Sequence, residues 1–340
     1  MPVRDAIYVD FEAPKTTPPS PAILGILTDR AGRVAFEQVV LDPRLAAAAV
    51  ARSHVRIATL ADTVSRLTAA GLPIVGWSVF DRDLVMQADL DDALKTAWEA
   101  SYVNALPIAR TWRTKVHPKF HVTRASEHDA KHTLDQYATV AGYAGVARLK
   151  RGQPAKWIRH LLQQLAARQH YRRVTRETKR DWHDLLRYNE EDCRALRHVY
   201  LRAVDELTKW RKYESSDYFV LDDRREVRFR VGSRSARLAA LLDRFGARRW
   251  AFLTAWNPGS RPLSRADNDT RQNALLDRLM TDGYRVVNAE GRSADGSWCE
   301  ESVFALDIPE SAACAIGRDF GQLTIVVGSG GDLARLVSCV

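Results

Sequence analysis

DAIYVDF, residues 5–11, reads as a buried β-strand, and the rest of the chain takes its meaning from it. Glu12 follows, so Asp10 and Glu12 stand two residues apart. Side chains alternate along a strand, which sends both carboxyls out of one face, about 7 Å apart. Ile7, Val9 and Phe11 take the opposite face. Any half-exposed strand alternates in this way, so the pattern alone requires no chemistry.

Working outward, residues 22–27 and 34–40 read as two further strands on either side of the turn DRAG at 29–32. Residues 59–70 form an amphipathic helix that ends at Gly71, and 73–77 form a short apolar strand. From 81 to 210 the pattern is almost wholly helical, most clearly over 134–143, 155–168 and 184–207. Three strands, a helix, a strand and then helices predict an α/β domain with a mixed sheet. Residues 212–233 are charged and irregular, with room for a short hairpin, and are read as a linker. A second α/β pattern follows: helix at 234–245, strand at 250–255, helix at 268–282, and strands at 302–306 and 323–327. The expected organisation is therefore domain 1–211, linker 212–233 and a second, smaller α/β domain at 234–340.

Hydrophobic residues make up 46% and charged residues 27% of the 340, the balance of a folded globular chain. No apolar run approaches the roughly 20 residues of a membrane span. MPVRDAIYVDFEA enters a strand without a signal-peptide core, and Cys193, Cys299, Cys314 and Cys339 are scattered without CxxC spacing, so a reducing cytoplasm is expected. The net charge of +9 is concentrated: residues 110–180 hold 17 Lys and Arg against Glu127, Asp129, Asp135 and Glu177. That stretch also carries Trp112, Tyr137, Tyr143, Trp157 and Tyr171, a combination suited to a phosphate backbone with stacking platforms. Arg148, Lys150, Arg151, Lys156, Arg172 and Arg173 are the candidate nucleic-acid contacts. Solvated Arg-rich helices are the plain alternative.

On the helix at 184–207, Leu185, Tyr188, Asp192, Leu196, Val199 and Ala203 share one stripe, with Asp192 at its centre. A lone buried carboxylate costs several kcal/mol, so Asp192 is expected to be paired, protonated or metal-bound. A hydrogen-bonded core aspartate would also satisfy the pattern. Glu190 and Glu191 point off the stripe and read as solvated. In GWSVFDRDLV, Asp81 falls where strand gives way to helix, with Asp83 as second candidate; as a helix N-cap Asp81 would need no function.

VDFEA with Asp10 and Glu12, VFD with Asp81 and YNEED with Tyr188 and Asp192 together resemble the three motifs of the DEDD exonuclease superfamily, tyrosine subgroup, over about residues 5–207. RYNEEDCRAL is especially similar to the third motif of predicted nucleases associated with bacterial DNA repair and CRISPR regions. The resemblance implies a ribonuclease H-like mixed sheet with helices and a 3′–5′ exonuclease acting on DNA or RNA. It also implies two Mg²⁺ or Mn²⁺ ions, with Asp10 bridging, Glu12 and Asp192 completing one site, Asp81 holding the other and Tyr188 orienting the water. The family usually has Asn shortly before the second-motif aspartate, where this chain has Trp77 and Ser78, which leaves an altered substrate or reduced activity open. The competing reading is a catalytically weak nucleic-acid-binding module whose C-terminal domain recruits a partner. A small-molecule hydrolase is a third reading.

His117, His121, His128 and His132 form two HxxxH pairs that invite a zinc reading, although Pro118 interrupts the first; phosphate contact is the alternative. In the second domain TAWNPGS, NDTRQNALL and WCEES resemble a bacterial family of uncharacterised domains across roughly 248–337. Asn257, Ser260, Asn268 and Arg271 could cap helices or grip an anion, and Asn257, Arg271, Glu300 and Glu301 are the polar residues of first interest.

Overall fold

The computed structural model describes residues 5–14, 20–50, 55–122, 132–149, 153–222, 225–330 and 332–340. The chain is mixed α/β, with two sheets, and divides into two compact units. Unit 1 comprises Met1–Thr111 and Phe120–Val204; unit 2 comprises Trp112–Lys119 and Asp205–Val340.

In unit 1 the strands are β1 (Ala6–Glu12), β2 (Ile23–Arg30), β3 (Arg33–Val40), β4 (Val55–Ile57), β5 (Ile74–Gly76) and β6 (Tyr102–Asn104). They form a mixed sheet in the order β4-β3-β2-β1-β5-β6. Strand β2 runs antiparallel to β1 and β3, and the β3–β4, β1–β5 and β5–β6 pairs are parallel. The helices are α1 (Ala46–Ala49), α2 (Leu60–Ala69), α3 (Val79–Met86), α4 (Asp92–Ser101), α5 (Ala105–Val116), α6 (Leu134–Val140), α7 (Val146–Leu149), α8 (Pro154–Arg168) and α9 (Arg176–Ser215). The short strands β4 and β6 lie where the sequence showed no strand signal, because three residues are too few for a period of two to register.

Strand β1 is central and covered on both faces, which is why its apolar run is nearly continuous. Ile7, Val9 and Phe11 pack with Val64 and Leu67 of α2, Leu84 and Val85 of α3 and Trp98 of α4. Ala6 and Tyr8 pack on the other face with Cys193 and Leu196 of α9. Asp10 and Glu12 continue that second row, so the acid pair lies on the α9 side of the sheet. Helix α9 is longer than expected at both ends, and its last residues belong to unit 2.

Unit 2 corrects the expected linker. Residues 212–233 hold the end of α9, β7 (Asp217–Asp222) and β8 (Arg225–Phe229), which pair antiparallel, and β7 also pairs with β10 (Arg285–Arg292). The hairpin is thus built into the second sheet, because its Tyr218, Val220, Val227 and Phe229 carry core side chains. The remaining elements are α10 (Ala236–Phe245), β9 (Arg249–Leu253), α11 (Arg265–Thr281), β11 (Cys299–Leu306), α12 (Glu310–Asp319), β12 (Thr324–Ser329) and β13 (Arg335–Ser338). The sheet is antiparallel throughout, in the order β13-β12-β9-β11-β10-β7-β8. Strand alternation divides it between two cores. Trp250, Phe252 and Phe304 face α10, whereas Ala251, Leu253, Val303 and Ala305 face Leu275 and Leu279 of α11 and Ile316 of α12. No helix among the described residues is long and apolar enough to cross a membrane.

Candidate metal centre

The site grows from one register row. Asp10 of β1 stands opposite Gly25 of β2, which stands opposite Gln38 of β3. Gly25 contributes no side chain, and Asn189 of α9 occupies the space left above it. A Cβ on Gly25 would lie 2.5 Å from the Asn189 Oδ1 and 2.9 Å from the Cys193 Sγ. From that position the Asn189 Nδ2 donates to the Asp10 carbonyl at 2.9 Å and to the Asp10 Oδ2 at 2.8 Å. Its Oδ1 accepts from the Gln38 Nε2 at 3.0 Å, and the same Gln38 nitrogen donates to the Leu186 carbonyl at 2.8 Å. Asn189 therefore fixes both the backbone and the carboxyl of Asp10. A Gly25→Ala substitution is expected to push Asn189 aside, at about 1–3 kcal/mol of stability for overpacking. Urea unfolding measures that loss, and no change in midpoint would refute the tight row.

Asp10, Glu12 and Asp192 come together: one carboxylate oxygen from each lies within 4.8 Å of the others. Among the described residues this group of acids could hold a metal ion. Asp10 is partly exposed, while Glu12 and Asp192 are 6% and 8% exposed. Burial pushes the Asp10 carboxyl up to about 7, against hydrogen bonds with Asn189 and Glu12 that stabilise its anion. Glu12 and Asp192 are pushed well up, first by burial and then by the charge of Asp10. The four acids Asp10, Glu12, Asp81 and Asp192 form no salt bridge with Lys or Arg among the described residues. The Glu12 Oε1 is buried without a hydrogen-bond partner among the described residues. A buried carboxylate oxygen in that condition is costly unless a cation meets it, so the donor set fits a hard divalent ion that takes oxygen ligands.

Asp81 lies outside the trio. Its carboxyl accepts from the Phe11 amide at 3.2 Å, and burial followed by the charge of Asp10 raises it to about 8. It is not the helix cap: Ser78 takes that position on α3 by accepting from the Phe80 amide, and Asp81 sits in the first turn. Asp83 is bound to Arg82. Trp77 donates to the His132 carbonyl and packs on Tyr137.

Tyr188 is half-buried, and its phenol is driven far above its ordinary value, first by burial and then by the charge of Asp192. Its ring meets the edge of Trp157, on α8, with centroids 6.3 Å apart. Glu190 pairs with Arg194 as an exposed residue should, but the expectation for Glu191 is corrected. Glu191 is buried and accepts from the Tyr143 hydroxyl, with room made by Gly145, whose Cβ would collide with it. Among the candidate nucleic-acid contacts, Lys156, Arg172 and Arg173 are exposed. Lys150 and Arg151 lie outside the described residues, as does the side chain of Arg148.

Among the described residues no histidine belongs to a group that could hold a metal ion. His117 is buried and bonded to Glu206, which also accepts from Trp112, and His132 bonds the Tyr137 hydroxyl. His121 is exposed, and His128 lies outside the described residues.

Asn189, Gln38 and Gly25 were not singled out from the sequence, nor was Asp135, whose charge reaches Asp192. Asn189 had a legible signal: with Asp192, Cys193 and Leu196 it keeps the i, i+3, i+4, i+7 spacing of a buried stripe, and all four are buried.

In unit 2 the polar residues of first interest are bound within the fold. Arg271 spends its guanidinium on the carbonyls of Ala255 and Phe320, and Asn257 donates to the Glu300 carboxylate at 2.7 Å while bonded to Asn268. Glu301 pairs with Arg265.

Residues 253–325 match a family described as "Protein of unknown function (DUF3293)", in agreement with the resemblance read from the second half of the chain. No curated protein and no solved structure matches the chain.

Proposed function

We propose that unit 1 is a ribonuclease H-like nuclease of the DEDD kind, a hydrolase of phosphodiester bonds in DNA or RNA with 3′–5′ exonuclease action. The observation that carries the reading is the meeting of Asp10, Glu12 and Asp192 with an unpartnered Glu12 oxygen among them. Mg²⁺ or Mn²⁺ at this place, as a pair of ions, would neutralise the attacking and leaving oxygens of an in-line displacement.

The chain's own residues divide the work. Asp10 is the natural shared ligand, because its charge acts on Glu12, Asp81 and Asp192 alike. Glu12 and Asp192 would complete one ion's site and Asp81 would serve the other. Asn189 and Gln38 hold Asp10 in orientation, as the partners behind metal ligands do. Tyr188 stays protonated, so it orients a water by hydrogen bonding and does not act as a base. Trp157 beside Tyr188, and Lys156 next to it on α8, would give a strand a stacking surface and a phosphate contact.

The test is incubation of the full chain with end-labelled single-stranded DNA and RNA in Mn²⁺. Stepwise shortening is expected from the native protein and none from Asp10→Ala. Salt-sensitive binding without any cleavage would overturn the nuclease and favour the binding module.

A further inference from the structure

Unit 2 contains a second register row with a glycine at its centre. Tyr218 of β7 stands opposite Gly291 of β10, which stands opposite Glu300 of β11. Here the rings of Trp298 and Phe252 come within van der Waals distance of the glycine's missing side chain, and a hollow remains beside them. The hollow above Gly291 measures about 50 Å³, and Tyr213, Tyr218, Phe252 and Trp298 contribute to its walls. A Cβ on Gly291 would lie 3.4 Å from the Trp298 ring and 3.9 Å from that of Phe252.

Among the described residues Glu300 is the one ionisable carboxyl of this wall, and no Lys, Arg or His lines the hollow. Its Oε1 accepts from the Asn257 Nδ2 at 2.7 Å. Asn257 is held in place in turn: its Oδ1 accepts from the Leu263 amide and from Asn268, and its own amide donates to the Asn268 Oδ1. The neighbouring acids all have basic partners: Glu301 has Arg265, Glu290 and Glu226 share Arg292, and Asp217 has Arg228 and Arg230. Glu300 has none among the described residues, in a chain that carries nine more basic than acidic side chains. Burial holds its carboxyl above the ordinary value, which is the sign of a charge left uncompensated.

We propose that this hollow binds the head of a small organic cation, a primary ammonium or guanidinium group, between the aromatic faces and the Glu300 carboxylate. Aromatic faces attract a cation through the ring quadrupole, and a carboxylate adds charge-assisted hydrogen bonds. At roughly 10–15 Å³ of this measure per water, the volume suits a head of about four heavy atoms. The site is separate from the acid cluster of unit 1 and does not depend on the nuclease reading.

The experiment is calorimetric titration of the full chain at low salt with two probes, agmatine as a free amine and N-acetylarginine amide as a peptide-borne side chain. Saturable binding of at least one is expected, and which of them binds identifies the source. Glu300→Gln preserves the acceptor for Asn257 and the shape of the wall, and should weaken binding at least tenfold. Gly291→Val fills the hollow and should abolish it. Equal affinity in Glu300→Gln, undiminished binding in Gly291→Val, or no saturable binding of either probe would overturn the proposal.

Discussion

Replacing Asp192 by asparagine is expected to make the metal-free protein more stable and to end metal-dependent cleavage. The two effects share a cause. Without a cation, Asp192 must either stay a buried anion opposed by the charges of Asp10 and Asp81 or take up a proton, and either course costs stability at neutral pH. Asparagine keeps the size and can carry no charge. The metal-free melting temperature should therefore rise. Activity should fall by more than the roughly 10–100-fold that loss of a mere supporting partner costs, since Asp192 would itself be a ligand. A core aspartate kept for its hydrogen bonds predicts the opposite sign, since its removal leaves partners unsatisfied. Thermal unfolding in EDTA together with the strand-shortening assay separates the two. A fall in melting temperature with activity intact would refute the metal centre.

Divalent ions should produce the second large effect. At a concentration 100 times the dissociation constant, Mn²⁺ adds about 2.7 kcal/mol to the folded state. At roughly 2–4 °C per kcal/mol for a body of this size, the melting temperature should climb by about 5–10 °C. The pH dependence follows with its sign. Asp10 and Asp81 protonate near 7 and 8 in the fold against 3.8 when unfolded. With these two groups the folded state binds more protons than the unfolded one across this range, so their contribution to stability is fully present below about pH 4 and is lost as pH rises towards 8. In EDTA the contribution of this cluster should fall between pH 5 and 8. In Mn²⁺ the carboxylates stay ionised as ligands, and the slope should flatten. Asp10→Asn should flatten it in EDTA as well. A metal-independent slope that Asp10→Asn leaves unchanged would count against the cluster as its source.

The legible parts of the candidate site were those carried by local periodicity. Asp10 and Glu12 share a face because a strand repeats every two residues, and Asp192 is buried because it sits within a helical stripe. Asp81 was placed at a strand-to-helix junction, although the sequence did not distinguish it from a cap; Ser78 takes that role in the structure. Glu191 reads as solvated on a helical wheel and is buried in fact, because Gly145, 46 residues earlier in the chain, leaves room for it. A wheel contains no information about the neighbour that covers a face.

By itself the chain's order of residues determined the α/β character of its segments, the strand that carries the first two acids and the helix that carries the last. Only tertiary structure decided that β7 and β8 join the second sheet, that Asn189 rests on Gly25 between Asp10 and Gln38, and that a hollow is left at Gly291 beside Trp298 and Phe252. The reason is physical. Periodicity is written within one element, whereas register is a relation between strands, and a slip of one residue would turn every side chain to the other face without altering either strand's own pattern.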